Sequence, residues 1–242
     1  MSIKYKIAQF VERMIHPNRY TSESYVNYLR RNGAKIGKNT FFFAPKSTVI
    51  DDRRLTYIKI GQNCAITSGV QILCHDYSWS VLRASHDVIL PDPGRPVVVG
   101  DNVFIGWNSI IMPGTTIGSN VIIGAHSVVT KDVPDNVVCA GNPAKVIMTL
   151  DEYYNKKYEN RVRDAVQRAN HIYSTTGKDP TIEQMGWFGV LYLDRDSNNE
   201  AFLRTLPFRN NDIEQVLQTF RNTDKVFDTF EDFLQEARKC RE

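Results

Sequence analysis

The stretch VVVGDNVFIGWNSIIMPGTTIGSNVIIGAHSVVT, residues 97–130, decides the fold of this chain. A β-branched aliphatic residue recurs in it at every sixth position, and glycine usually follows. The six aliphatic positions are Val99, Ile105, Ile111, Ile117, Ile123 and Val129. A helix is disfavoured because each interior glycine costs about 1 kcal/mol relative to alanine. The stride of six predicts a coil with three flat sides, whose successive turns stack their inward side chains into aliphatic ladders.

The same register extends upstream, and it is broken twice. It recurs at Ile36, Ile60, Ile66 and Ile72, so the repeat zone covers residues 34–148. Residues 77–96 have no stride of six and contain proline and glycine, which predicts a loop that leaves one corner of the coil. A smaller excursion is predicted at residues 51–54. Long loops on a rigid scaffold usually carry function, so we expect the site beside them.

Helical patterns flank the repeat zone on both sides. Residues 1–33 predict two helices, the second capped by Thr21 or Ser22 and ended by Gly33. The first helix carries Ile3, Ile7, Phe10, Val11 and Met14 on one face. Residues 149–242 predict a mainly helical extension in which the apolar run MGWFGVLYL must be buried. The sequence therefore divides into three parts.

Composition narrows the classes of function. The chain has 242 residues and a net charge of +3, too small to indicate a nucleic-acid surface. Its four cysteines form no C-x-x-C pair and no metal-ligand spacing, which favours free thiols in a reducing compartment. No apolar run approaches the roughly 20 residues that span a bilayer, and the N-terminus lacks the apolar core of a signal peptide. We therefore predict a cytoplasmic protein.

Three stretches resemble a known family. They are IGQNCAITSGVQILCHDYSW (residues 60–79), SVVTKDVP (residues 127–134) and GNPAKVI (residues 141–147). They are similar to the hexapeptide-repeat acyltransferases, in the branch of galactoside, maltose and polysaccharide O-acetyltransferases. The resemblance implies an all-β left-handed parallel β-helix that uses acetyl-CoA and needs no metal. It also implies a homotrimer with three active sites between subunits.

The resemblance assigns the catalytic base to His75, at the end of a coil next to the long loop. A sugar hydroxyl attacks a thioester poorly unless a base removes its proton, and an imidazole exchanges protons near neutral pH. The tetrahedral intermediate then needs hydrogen-bond donors aimed at its oxyanion. In relatives a backbone amide supplies one of them, at the position of Trp107. Its tryptophan side chain replaces a smaller residue and is expected to narrow the thioester channel or to stack on the cofactor.

The resemblance also assigns residues to the two substrates. Ala125, Thr130, Lys131 and Lys145 match positions that contact coenzyme A, through the pantetheine and the phosphates. Asp52 matches a carboxylate that binds sugar hydroxyls. His86, in the long loop, is a further candidate for contact with the acceptor, which is expected to be a sugar, a nucleotide sugar or a glycan in polysaccharide biosynthesis.

Other functions stay open on the sequence. The same base and cofactor site would serve an N-acetyltransferase acting on an amino sugar, and no residue fixes the length of the acyl group. A zinc enzyme of the γ-carbonic-anhydrase type shares the fold but needs three histidine ligands, and the repeat zone offers only His75, His86 and His126, with no close pair. A non-catalytic scaffold is disfavoured by the intact His75 and TKD segment.

Overall fold

A computed structural model describes residues 14–206 and 213–241 of the chain. Three parallel sheets dominate it, and we name them by strand order: sheet A is β1-β4-β7-β10, sheet B is β14-β13-β11-β8-β5-β2, and sheet C is β12-β9-β6-β3. The strands are β1 (Lys35–Ile36), β2 (Phe41–Phe42), β3 (Val49–Ile50), β4 (Ile58–Ile60), β5 (Ala65–Ile66), β6 (Gln71–Ile72), β7 (Val97–Val99), β8 (Phe104–Ile105), β9 (Ile110–Ile111), β10 (Thr116–Ile117), β11 (Ile122–Ile123), β12 (Val128–Val129), β13 (Val137–Gly141) and β14 (Ala144–Thr149).

The four turns from β1 to β12 each give one strand to each sheet, and this part of the chain is a left-handed parallel β-helix. In sheet A, Ile36 pairs with Ile60, Ile60 with Val99, and Val99 with Ile117. All six aliphatic residues of the decisive stretch are at most 1% exposed, which confirms the predicted ladders. The strand β14 differs from the rest because it pairs antiparallel with β13 and closes the end of sheet B.

The three edges of the coil lie where the chain passes from sheet A to B, from B to C, and from C to A. Glycines occur where stacked turns approach most closely: a Cβ at Gly37 would lie 2.3 Å from the carbonyl carbon of Gly61. Gly100 and Gly118 follow strands of sheet A, and Gly106 and Gly124 follow strands of sheet B. After sheet C, Met112 and Thr130 stand in place of glycine. The C–A edge is therefore the one built differently.

An N-terminal helix covers one end of the coil. Helix α1 (Ser22–Arg31) begins at Thr21, whose side chain accepts from the backbone N–H of Ser24, as predicted. It buries Tyr25, Val26 and Leu29 in the same core as Ile36 and Phe42. The predicted helix on Ile3 to Met14 falls almost wholly outside the described residues.

The long excursion contains a helix that the sequence did not predict. Helix α2 (Trp79–His86) lies within residues 77–96 and buries no residue. It follows Asp76, whose carboxylate accepts from the backbone N–H of Ser78 at 2.7 Å and from its hydroxyl at 2.8 Å. These bonds form an Asx turn that leads into the helix, whose N-cap residue Ser78 makes no side-chain capping bond of its own. The smaller excursion ends in a 3₁₀ helix over Leu55–Tyr57.

A second compact unit begins after Tyr153. Its helices are α3 (Leu150–Thr176), which starts in the first unit, α4 (Ile182–Met185), α5 (Ser197–Thr205), α6 (Ile213–Asn222) and α7 (Phe230–Lys239), with a 3₁₀ helix over Gly186–Leu191. The predicted apolar run is buried here through Met185, Leu191, Tyr192 and Leu193. Within the described ranges, no helix is both long and apolar enough to cross a bilayer.

Candidate active site

His75 and Asp51 form a hydrogen-bonded pair at the C–A edge. Nδ1 of the imidazole contacts Oδ2 of the carboxylate, whose side chain is 2% exposed, while the histidine side chain is 22% exposed. In the neutral imidazole this carboxylate accepts from Nδ1–H, which leaves the lone pair on Nε2. The pair therefore presents a proton acceptor to the solvent side.

The register of the coil explains why these two side chains meet. Asp51 follows β3, and its backbone N–H donates to the carbonyl of Ile72 in β6 at 3.2 Å. His75 leaves the coil three residues after the end of the same strand β6. No partner of His75 was predicted from the sequence. Asp52, which the resemblance assigns to contact with sugar hydroxyls, lies in the turn that follows Asp51 and is exposed.

A carboxylate in the long excursion anchors the backbone beside His75. Oδ2 of Asp92 accepts from the backbone N–H of Asp76 at 2.6 Å, and its Oδ1 accepts from Gly94 at 3.1 Å. The N–H of Asp76 is the main cause that lowers the pKa of Asp92. On the other side of His75, the carbonyl of Cys74 accepts from the backbone N–H of Arg95 at 2.8 Å. The excursion thus leaves and returns at a fixed point around His75.

Two further side chains border the imidazole. The ring of Tyr77 packs edge-on against His75 at 4.5 Å between centroids, and Tyr77 is 56% exposed. Cys74 is fully buried; burial, and then the charge of Asp51, raise the pKa of its thiol to about 11. The thiol is therefore protonated and is no rival to the histidine as a nucleophile or base.

The two residues predicted to bind the acceptor are not part of this pair. The imidazole of His86, at the end of α2, hydrogen-bonds the hydroxyl of Ser85 at 2.7 Å. No hydrogen bond or ion pair joins His86 or Asp52 to His75 among the residues that the structure describes. Their roles stay predictions.

Two of the predicted cofactor residues share the C–A edge with His75. Leu73, Met112 and Thr130 follow strands β6, β9 and β12, which are register neighbours. Stacked strands lie about 4.8 Å apart, so Thr130 is about 10 Å along the axis from Leu73. Thr130 and Lys131 are both exposed on this edge.

The other three cofactor residues lie on the B–C edge. Trp107 and Ala125 follow β8 and β11, which are neighbours, and Lys145 pairs with Ala140 one turn further on. The indole of Trp107 is 62% exposed. The backbone carbonyl of Trp107 accepts from the backbone N–H of His126 at 2.7 Å. No group of the described residues accepts from the backbone N–H of Trp107. The role of this amide as an oxyanion donor stays a prediction.

The two edges are separated by the whole width of sheet C. A side of six residues is about 20 Å long when extended, and His75 and Trp107 follow strands at opposite ends of such a side.

A metal centre needs at least three ligand side chains that converge on one point. Among residues 14–206 and 213–241, no three side chains of histidine, cysteine, aspartate or glutamate converge on one point. His126 lies near Asn108, 3.5 Å between Nε2 and Nδ2.

Residues 96–131 match the family model described as "Bacterial transferase hexapeptide (six repeats)". The chain is 45% identical over 133 residues to Protein CapG of Staphylococcus aureus, covering 54% of this chain and 75% of that protein. It is 38% identical over 129 residues to the galactoside O-acetyltransferase of Escherichia coli K12, covering 51% and 60%. The putative lipopolysaccharide biosynthesis O-acetyl transferase WbbJ of the same strain is 32% identical over 141 residues, covering 53% and 66%.

The β-helix built from this repeat, together with relatives that are named O-acetyltransferases, defines the class of protein as the hexapeptide-repeat transferases. The chain belongs to the bacterial hexapeptide-repeat transferase family. It spans about 60% of the galactoside enzyme and 75% of CapG, and each match covers about half of this chain.

Proposed function

We propose that this protein transfers an acetyl group from acetyl-CoA to a hydroxyl of a sugar, a nucleotide sugar or a glycan, in the biosynthesis or modification of a surface polysaccharide. The observation that carries the proposal is the His75–Asp51 pair beside the long excursion. Support for the substrates comes from the resemblance and from relatives that are named O-acetyltransferases. Four free cysteines agree with a cytoplasmic location, where acetyl-CoA is made.

The chemistry follows from the orientation of the imidazole. Nε2 of His75 accepts the proton of the acceptor hydroxyl while its oxygen attacks the thioester carbonyl. Asp51 holds Nδ1–H and stabilises the imidazolium that forms. The oxyanion of the tetrahedral intermediate accepts from the amide of Trp107 of a second subunit. The C–S bond then breaks, and the imidazolium returns its proton to the thiolate of coenzyme A.

The test of the base is His75→Ala. A positioned base contributes about 10²–10⁴-fold, so kcat should fall by that factor. The KM for acetyl-CoA should change much less, because the base acts in the transition state. The assay follows release of the coenzyme A thiol with a panel of sugars and nucleotide sugars, and mass spectrometry of the product separates O- from N-acetylation. Near-normal turnover in the variant would remove His75 from the mechanism.

We also propose a homotrimer, because the two halves of the site lie on different edges of one chain. Mixing tests this directly. His75→Ala spoils the C–A edge, and Ala125→Glu places a charge on the B–C edge where the cofactor is expected. If each site combines edges of two subunits, trimers reassembled from equal amounts of the two inactive variants should regain about a quarter of the wild-type rate. No recovery in mixed trimers would contradict a shared site.

A further inference from the structure

Sheet A carries a basic outer face near the N-terminal end of the coil. Its outward side chains are Lys35, Lys59, Val98 and Thr116, one from each strand. Lys35 and Lys59 are register partners in adjacent strands, so their backbones lie about 4.8 Å apart and both side chains are exposed. Like charges directly opposite each other destabilise a sheet. An anion bound beside both lysines would relieve this repulsion.

The part of the chain that the structure describes does not supply that anion. An open depression of about 560 Å³ at the A–B edge is lined by Lys35, Lys38, Lys59 and a single carboxylate, Asp101. Both oxygens of Asp101 accept from Gln62, from its backbone N–H at 2.9 Å and its side-chain amide at 3.3 Å. Among the described residues, no carboxylate forms an ion pair with any of the three lysines.

Arginine extends the same charge along the rim. The guanidinium of Arg30, in α1, donates from Nε to the carbonyl of Ile36 at 3.0 Å and from Nη2 to that of Gly37 at 2.9 Å, both part of the depression. Arg30 and Arg31 also line a neighbouring depression of about 460 Å³. Positive charge is thus concentrated in the first two turns of the coil, although the net charge of the whole chain is only +3.

The other outer faces of the coil are more apolar. Val49 in sheet C is 48% exposed and Phe104 in sheet B is 41% exposed. Apolar faces suit contacts between subunits, whereas a face of exposed lysines suits a charged ligand. Sheet A also begins at the edge where His75 lies, and a side of the coil has six residues, about 20 Å when extended. A chain of a few sugar rings spans from one place to the other.

We propose that Lys35, Lys38 and Lys59 form an anion subsite that binds carboxylate or phosphate groups of an acidic glycan, some rings away from the hydroxyl that is acetylated. The ammonium groups act as point charges toward either anion. The identification of the ligand as an acceptor rests on the proposed function. The binding itself does not, because it is measurable without acetyl-CoA.

The test is titration calorimetry of the full-length protein with three probes: tetragalacturonate, linear tripolyphosphate and a neutral galactose tetramer. We expect binding of at least one anionic probe, weaker at high salt because exposed charges are screened, and no binding of the neutral tetramer. The double variant Lys35→Gln/Lys59→Gln should bind about 2- to 30-fold more weakly, the range expected for losing two exposed charge contacts. The matched control is Lys156→Gln/Lys178→Gln, which removes two exposed lysines of the second unit.

The anion that binds identifies the chemistry of the subsite, carboxylate or phosphate. Failure of both anionic probes to bind, or an equal loss in the control variant, would overturn the proposal. So would tighter binding of duplex DNA with the same dependence on the two lysines, which would make the surface a nucleic-acid site. Absence of acetyl transfer with lysine-dependent anion binding retained would reject the proposed function and leave the subsite standing.

Discussion

Asp51→Asn is the perturbation that tests the catalytic pair most sharply. The wild-type carboxylate is 2% exposed and accepts a hydrogen bond from Nδ1 of His75. Asparagine is nearly the same size but carries no charge, and its amide nitrogen would favour the tautomer with the proton on Nε2. A hydrogen bond to a charged group contributes about 1.5–3 kcal/mol, and about 1.4 kcal/mol is tenfold in rate. We therefore expect kcat to fall about 10- to 150-fold.

The assay is steady-state release of coenzyme A at saturating acetyl-CoA, with thermal unfolding to show that the variant is folded. The matched control is Asp52→Asn, which removes the adjacent, exposed carboxylate. That control should act mainly on the KM for the acceptor, since Asp52 is predicted to bind sugar hydroxyls. A folded Asp51→Asn enzyme whose kcat stays within twofold of wild type would refute the role of the pair. So would an effect confined to KM.

Three further predictions concern the surroundings of the site. Lys131→Ala should raise the dissociation constant of coenzyme A about two- to fivefold in an intact trimer, and an unchanged affinity measured by calorimetry would exclude Lys131 from the cofactor site. A thiol reagent at pH 8 should modify only Cys240 of the native chain, because Cys64, Cys74 and Cys139 are buried and burial raises the pKa of each thiol; rapid reaction of all four before denaturation would contradict this. Because the pKa of Asp92 is lowered, its carboxylate stays ionised in mild acid, and its hydrogen bond to the N–H of Asp76 is lost only as pH falls through that lowered value. Hydrogen exchange of the Asp76 amide should therefore be faster in Asp92→Ala near neutral pH. In the wild type at pH 5, the same amide should keep its protection.

The coil was predictable because its signal is repeated. Each β-branched residue fills one step of a ladder, so an error at one position does not hide the stride, and Val99 to Val129 stand as predicted. The second helix was predictable from local chemistry, since Thr21 and Gly33 mark its two ends. Helix α2 was missed because proline and glycine of the same excursion outweighed a short helical pattern of eight residues.

The partner of His75 was not predictable from the stride, because the stride gives the side of the coil but not the contacts across turns. Asp51 and Asp52 are adjacent residues of the same type, and only the direction of the chain after β3 decides which of them is buried. The distribution of the predicted site over two edges was likewise hidden. Trp107 and His75 both lie shortly after a strand, and the sheet that each strand joins becomes known only when the turns are stacked.

One feature of the sequence nevertheless marked the edge of the site. Register partners show that both excursions leave the coil at the C–A edge: six residues separate Ile111 from Ile117, but ten separate Ile50 from Ile60 and twenty-seven separate Ile72 from Val99. Asp51 opens the first excursion, and His75 lies where the second begins. At both places a regular turn would lead the chain directly from sheet C into sheet A. Because adjacent turns depart at the same edge, their first polar residues are brought together outside the aliphatic core, where a carboxylate and an imidazole pair at the foot of the long excursion. Glycine follows all four strands of sheet A and two strands of sheet B, but it follows no strand of sheet C, so the C–A edge departs furthest from the repeat at the place where the pair lies.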